Sequence, residues 1–426
     1  MDKDIYLTNN LNNIKEKFTP IDKKKIGMYV CGPTVYDNPH IGNARPLVIF
    51  DILFKVLKLK YGINSVNYVR NITDVDDKII KSSKEKNILA SELTNNIIKG
   101  FNDDCNYLNL EEPSQQPKAT DHVDLMIEMI LSLITKNFAY EKNNHVYFAV
   151  NKFEDYGKLS NKKLEDLIAG SRVEISENKK NVEDFVLWKP SKDDEPFWDS
   201  PWGKGRPGWH LECSAMSKKY LGEVFDIHGG GIDLIFPHHE NEIAQSEACT
   251  NLPFAKIWMH VGMVTISGEK MSKSLGNTKS IKQVLENWGP NIIRLFCLSG
   301  HYSKVIDYSE DMLKENLTKW RQVETCYFEL IHANNKNQEN VSENVQKIGI
   351  EFDKSLEDDF NTHLALSAFF QLVKETNRLA AAEKLGKENG EIIKKEFERI
   401  SAILGLTVPE MSQNEMQEID ELILNR

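Results

Sequence analysis

Met28-Tyr-Val-Cys-Gly-Pro-Thr-Val-Tyr-Asp-Asn-Pro-His-Ile-Gly-Asn-Ala-Arg45 decides how the chain is read. Met28, Tyr29 and Val30 are apolar and β-prone, so the stretch begins as a strand, and Gly32-Pro33 breaks it. Helical spacing takes over near His40, where Leu47, Phe50, Leu53, Phe54 and Leu57 recur on one face. The helix start then carries His40-Ile-Gly-Asn43. Unpaired N–H groups and a partial positive charge at such a start suit a phosphate. Gly42 lets a ligand approach the backbone, and His40 can donate to phosphate oxygens as charge builds during transfer. Taken alone, these four residues also arise by chance.

Far downstream, Lys270-Met-Ser-Lys-Ser-Leu-Gly-Asn277 follows the apolar, β-like run Ile257 to Ile266. Its two ammonium groups, Lys270 and Lys273, can neutralise a triphosphate and a leaving pyrophosphate. A lone Lys-x-x-Lys reads as a solvated basic loop. His-Ile-Gly-Asn followed by Lys-Met-Ser-Lys-Ser, in this order, resembles the two signatures of class I aminoacyl-tRNA synthetases.

The 426 residues are too many for one core and imply two to four domains. With 27% charged and 40% hydrophobic residues the composition is that of a soluble globular protein. No apolar run reaches the roughly 18 residues a bilayer span needs, and Met-Asp-Lys-Asp-Ile-Tyr lacks a signal peptide's apolar core. The expectation is a cytoplasmic protein without membrane contact. A net charge of −11 argues against a general nucleic-acid coat, though not against a local basic track. Six scattered cysteines form no disulfide-like framework.

A second strand is expected over Ser65 to Ile72, and a helix from Lys78 after Thr73-Asp-Val-Asp-Asp77. Asp74, Asp76 and Asp77 read better as a helix cap with first-turn acids than as metal ligands. The alternation of strands and helices predicts an α/β fold with a Rossmann-like parallel sheet. Between about Glu111 and Pro207 the pattern changes to a helix (Val123 to Ile134), short strands (His145 to Val150) and Asp/Lys/Pro-rich segments, as in an insertion. Strand character returns at Val224 to Leu234, where Gly229, Gly230 and Gly231 permit close approach to a base or ribose. Beyond about residue 307 the chain reads as an all-α bundle. Its apolar faces are Leu313, Leu317, Trp320, Val323, Tyr327 and Leu330, then Leu366, Phe369, Phe370 and Val373. Ala333 to Lys347, almost without apolar residues, reads as a flexible loop.

Cys31, Cys213, His238 and Glu242 are a donor set that suits tetrahedral zinc, the last two lying four residues apart on one helix face. Pro237 suits a first helical turn there. Spacing does not select this set. No Cys-x-x-Cys occurs, 182 residues separate the two cysteines, and His239 and Glu240 are equal rivals.

Cys31-Gly-Pro-Thr-Val-Tyr-Asp, Arg70-Asn-Ile-Thr-Asp-Val-Asp-Asp-Lys78, Gly208-Trp-His-Leu-Glu-Cys-Ser-Ala-Met216, Phe225-Asp-Ile-His-Gly-Gly-Gly231, Phe236-Pro-His-His-Glu-Asn-Glu-Ile-Ala-Gln-Ser246 and Asp358-Asp-Phe-Asn-Thr362 together resemble the bacterial cysteinyl-tRNA synthetases, from about Gly27 to Leu404. The resemblance implies one zinc per chain on Cys31, Cys213, His238 and Glu242, Mg-ATP and L-cysteine as substrates, tRNA(Cys) as acceptor, and a monomer that binds no DNA. It implies His40, Asn43, Lys270 and Lys273 as catalytic groups, with Gly42, Gly229 and Gly230 also at the ATP. Trp209, Asp233 and Thr73 are the candidates for the amino-acid pocket. Asn43 departs from the commoner second histidine and cannot carry charge. The cysteine ligases of mycothiol synthesis, which form the same adenylate, are the near rival; the Asn/Lys-rich composition fits them poorly.

The expected organisation is a catalytic domain in two halves, 1–115 and 207–256, around a connective insertion at 116–206. A signature-loop and stem-contact region at 257–306 follows, then a tRNA-binding helical bundle at 307–405. The tail at 406–426, with five acids and one base from Glu410 on, is expected to stop short of the basic anticodon-contacting segment that the resemblance implies.

Overall fold

The chain opens with a hairpin of β1 (Tyr6–Asn9) and β2 (Ile14–Lys17) and enters the central sheet at β3 (Ile26–Val30). The structure is a computed structural model that describes residues 4–161, 178–271, 278–335 and 339–408. Every residue of β3 is buried, as in a parallel strand covered on both faces. Met28 and Val30 enter a core shared with the helix that follows, and Tyr29 faces a second core on the other side. α1 (Ile41–Tyr61) crosses back to β4 (Val66–Arg70), parallel to β3 with Met28 opposite Tyr68.

α2 (Asp77–Lys86) and α3 (Ala90–Tyr107) come next, then α4 (Val123–Thr135). An antiparallel sheet follows, of β5 (Ala139–Lys142), β6 (His145–Phe148), β7 (Phe185–Pro190) and β8 (Gly205–Pro207), in that order. This is the change of pattern expected of an insertion. The main sheet resumes through α5 (Trp209–Leu221), β9 (Phe225–Gly231), α6 (Glu240–Thr250) and β10 (Ala255–Val261). Its order, β10-β9-β3-β4 and all parallel, bears out the Rossmann-like expectation. β3 has β4 on one side and β9 on the other, so the direction of winding changes at the β3–β9 seam. Ligand crevices of such sheets open at the strand C-termini there.

The apolar run 257–266 is two strands. It breaks at Gly262-Met263, and β11 (Val264–Ile266) forms a separate sheet with β12 (Glu269–Lys270) and β13 (Ile306–Tyr308), in the order β12-β11-β13. The break has a steric cause. A Cβ at Gly262 would lie 2.2 Å from the Lys304 carbonyl oxygen. Between β12 and β13 run α7 (Ile281–Trp288) and α8 (Pro290–Leu298).

α9 (Glu310–Ile331), α10 (Ser342–Glu357), α11 (Thr362–Ala381) and α12 (Lys387–Leu404) build the bundle. Leu313, Trp320, Val323, Leu330, Leu366, Phe369 and Val373 are buried in it, and Leu317, Tyr327 and Phe370 pack at its edge. The loop expected over 333–347 is corrected at its end, because residues 342–347 belong to α10. Val341, Val345 and Ile348 supply an apolar stripe sparse enough to be hidden by the polar residues between them.

Arg294 and Asp359 are among the described residues that tie the bundle to the rest. Arg294 of α8, fully buried, donates to Asp51 Oδ2 of α1 (2.7 Å) and to the carbonyls of Leu404 (2.7 Å) and Leu108 (3.0 Å). Asp359, in a left-handed turn after α10 (φ 56°), accepts from Thr8 N (2.7 Å) and Thr8 Oγ1 (2.8 Å), and its own N–H reaches the Tyr6 carbonyl at 2.9 Å. Among the described residues no helix is long and apolar enough to cross a membrane.

Candidate active site

α1 begins where the sequence places it. His40 is the N-cap, and its backbone N–H donates to Asn43 Oδ1 at 3.0 Å. Asn43 therefore closes its own helix start, with its amide nitrogen left as donor. Gly42 is required by the histidine, since a Cβ there would lie 2.9 Å from two atoms of the His40 ring. The turn is bonded to the segment leaving the signature loop. Ile41 N donates to the Lys279 carbonyl (2.9 Å), and Ile281 N to the Pro39 carbonyl (3.0 Å). Lys273 lies outside the described residues. Lys270 closes the β11–β12 hairpin opposite Thr265.

A cleft of about 330 Å³ opens at the C-terminal ends of β3 and β9. Cys31, His40, Asn43, Trp209, Asp233 and Met271 are among its lining residues. Gly231 lines it too, and its two neighbours are bare for internal reasons. A Cβ on Gly229 would sit 2.3 Å from the Phe50 ring, and one on Gly230 would sit 2.9 Å from the His239 ring. Thr73 turns its hydroxyl to Glu212 Oε2 (2.9 Å), a fully buried carboxyl whose other oxygen has no partner. Burial, with Asp76 and Asp74 nearby, pushes that carboxyl well above its ordinary pKa. The acids beside Thr73 have separate tasks. Asp76 caps α2 by accepting from Lys78 N (2.8 Å), Asp77 binds Lys189 and Arg206, and Asp74 accepts from Thr120 N and Oγ1.

Cys31, Cys213, His238 and Glu242 converge on the cleft floor, with all ligand atoms within 4.8 Å of one another. The two sulfurs are 3.7 Å apart, Cys213 Sγ is 3.6 Å from His238 Nε2, and His238 Nε2 is 3.1 Å from Glu242 Oε1. A tetrahedral zinc with sulfur at about 2.3 Å sets a sulfur–sulfur edge near 3.8 Å, and nitrogen and oxygen at about 2.0 Å set theirs near 3.3 Å. The residues present fit the ion. Without one, burial and the neighbouring Cys213 and Glu242 hold the Cys31 thiol well above its ordinary pKa, and burial holds His238 well below its own.

The rivals separate. Glu240 faces away, accepting from Gly157 N and from Ser160 N and Oγ. His239 stands 3.3 Å from Cys31 Sγ and bonds His260 through its other nitrogen (2.8 Å). With His228 it makes an alternative set, Cys31–His228–His239–Glu242, that has one sulfur. In that set His228 already holds the second oxygen of Glu242 (2.8 Å), and His210 Nδ1 lies 3.0 Å from His238 Nδ1. Such contacts to ligand side chains fix their orientation. Sequence reading assigned no role to His210, His228 or His260. His228 and His210 stand inside the motifs that were read, and only their packing distinguishes them. The Trp209 ring stacks on His238, centroids 4.1 Å apart.

Residues 17–318 match the family of class I (C) tRNA synthetase catalytic domains, and residues 351–408 match the DALR domain. The chain belongs to the class I tRNA synthetases. Within this family it is 72% identical over 327 residues to the cysteine–tRNA ligase of Pelagibacter ubique, covering 76% of this chain and 72% of that protein. It is 45% identical over 428 residues to the cysteine–tRNA ligase of an Exiguobacterium species, covering 99% and 92%. Among solved structures, Mycobacterium tuberculosis methionyl-tRNA synthetase in complex with methionyl-adenylate aligns over 89% of each chain, with a TM-score of 0.65 and 13% identity. That likeness carries the synthetase fold alone.

Proposed function

We infer that the chain is a cysteine–tRNA ligase, and that its cleft does the chemistry. The carboxylate of L-cysteine attacks the α-phosphorus of Mg-ATP, forming cysteinyl-adenylate as pyrophosphate leaves. A terminal ribose hydroxyl of tRNA(Cys) then attacks the activated carbonyl, and AMP leaves. The observation that carries the reading is the two-sulfur cluster on the floor of a cleft headed by the His40–Asn43 turn. The likeness to cysteine–tRNA ligases supports the same substrate.

His40, the Gly42 backbone and the Asn43 amide serve the phosphates from the helix start, with Lys270 and Lys273 opposing them from the signature loop. Gly229 and Gly230 offer their backbone to the nucleotide. Trp209 walls the amino-acid pocket, Asp233 anchors the substrate ammonium, and Thr73 lines the far side. Cys31, Cys213, His238 and Glu242 hold one zinc per chain. Bound there, zinc supplies a soft Lewis acid that favours a thiolate over a hydroxyl, which sterics alone distinguish poorly. The halves 1–115 and 207–256 form the catalytic domain around the insertion 116–206. Residues 257–306 carry the loop, 307–405 meet the tRNA, and 406–426 form a tail. The reading carries with it a monomer in the cytoplasm.

Purified chain with ATP, Mg and cysteine is expected to show cysteine-dependent pyrophosphate exchange, and to charge total bacterial tRNA with labelled cysteine. Absent exchange would overturn the adenylation reading; exchange without charging of tRNA would point to another acceptor, such as an amino sugar. Lys273→Ala should cut exchange sharply, and an unchanged rate would remove Lys273 from the site.

A further inference from the structure

Arg45 lies two residues beyond Asn43 on α1 and is fully buried. The hydrogen-bond partners of its guanidinium are main-chain carbonyls. Nη1 donates to the oxygens of Gly262 (2.8 Å), Met263 (3.5 Å) and Lys304, and Nη2 to that of His301 (2.9 Å). Burial lowers its pKa to about 10, so the group stays charged at neutral pH. Ile41, Val48 and Ile49, three or four residues away on the same helix face, are buried and apolar. A buried cation is a poor source of stability compared with an apolar residue of similar volume. Another reason for its presence is needed.

The four carbonyls belong to two segments that frame the entry to the signature loop. Residues 262–263 join β10 to β11, which continues through β12 into the loop, and residues 301–304 lead into β13, the parallel partner of β11. The two segments are bonded to each other, Gly262 N to the Tyr302 carbonyl (2.8 Å) and Ile306 N to the Met263 carbonyl (3.1 Å). The exit of the loop is already bonded to Pro39 and Ile41 at the start of α1. Both ends of the loop thus attach to the first two turns of one helix, the exit by backbone bonds and the entry by Arg45.

We propose that Arg45 is a positioning residue for adenylate formation, a planar fork that sets the entry strand of the signature loop against the phosphate-binding turn without touching substrate. The proposal rests on the ligase reading. A guanidinium fixes direction as well as distance across several acceptors, and a lysine ammonium, a point charge on a flexible stem, does not. Misplacing a catalytic element by about 1 Å costs on the order of a hundredfold in rate.

The test compares Arg45→Lys and Arg45→Met with the unmodified chain. In R45K, kcat for cysteine-dependent pyrophosphate exchange should fall by about 10- to 100-fold. The KM for cysteine should stay within about twofold, because the amino-acid pocket lies across the cleft. Transfer from pre-formed cysteinyl-adenylate to tRNA should keep its rate. Backbone hydrogen exchange gives a readout independent of activity: in R45M the amides of β11 and β13 should lose protection while those of β3 and β9 keep theirs. Unchanged kcat in R45K, a loss that merely tracks the folded fraction, or unaltered protection of β11 and β13 in R45M would each overturn the proposal. If the unmodified chain shows no exchange, the ligase reading falls, and the protection pattern alone decides whether Arg45 holds the loop entry.

Discussion

Replacing Gly229 by alanine separates two reasons for a bare backbone. The new Cβ would fall 2.3 Å from Phe50 Cζ and 2.4 Å from Cε1, about 1 Å short of ordinary contact. Phe50 is fully buried on α1. Forcing one extra carbon into a packed core costs about 1–3 kcal/mol. Gly229 lies in a regular strand, so alanine there recovers about 0.4–1 kcal/mol of backbone entropy and the net expectation is a loss of about 1 kcal/mol. Urea midpoints of G229A, F50L and G229A/F50L measure it. Because Leu removes the ring edge that meets the new methyl, the double variant should be more stable than the sum of the singles by at least about 1 kcal/mol. Pyrophosphate exchange should return with it. A strictly additive double variant, or one that refolds and stays inactive, would refute the packing argument and leave nucleotide access as the reason for the glycine.

Arg294→Met breaks a buried ion pair. Asp51 keeps Lys55 Nζ at 2.9 Å and the Glu111 amide at 2.8 Å, so the loss should sit at the low end of the usual range, about 3 kcal/mol by urea unfolding, and be smaller with Asp51→Asn already present. Burial raises the Asp104 carboxyl from 3.8 to about 6. A raised folded-state pKa gives stability that is full below the unfolded value and lost as pH climbs through the folded one. Asp104→Asn should therefore match the parent below pH 3.8 and be the more stable above about pH 6; parallel stability curves would contradict this. Mass spectrometric metal analysis should find about one zinc per chain, and little in Cys213→Ser. Equal zinc in the two would remove Cys213 from the ligand set.

The phosphate turn was legible because its chemistry is local. A strand, a Gly-Pro break, a cap and an apolar stripe all lie within thirty residues and obey one periodicity at a time. Asp76 was legible as a cap for the same reason. The candidate zinc ligands were not separable from His239 and Glu240 by spacing, since which imidazole faces which cysteine depends on how residues 235–239 lead into α6. Glu240 spends its carboxylate on the 157–160 segment, and no local pattern announces that. Arg45 was invisible too. Its partners are carbonyls, which every residue has. The packing of the glycine run was invisible as well, since a Cβ on Gly229 would meet Phe50 and one on Gly230 would meet His239.

The bonds between Thr8 and Asp359 join positions 351 residues apart in the chain. During synthesis the hairpin of β1 and β2 can dock on β10 once Trp258 is made, Asn10 N donating to the Trp258 carbonyl at 2.8 Å, whereas its bonds to Asp359 wait for the turn after α10. Until then the Thr8 donors lack Asp359, and the loop that these bonds close spans 351 residues. The hairpin is thus secured in two steps, first by β10 and then by the turn after α10, and the second step reports that the bundle has arrived.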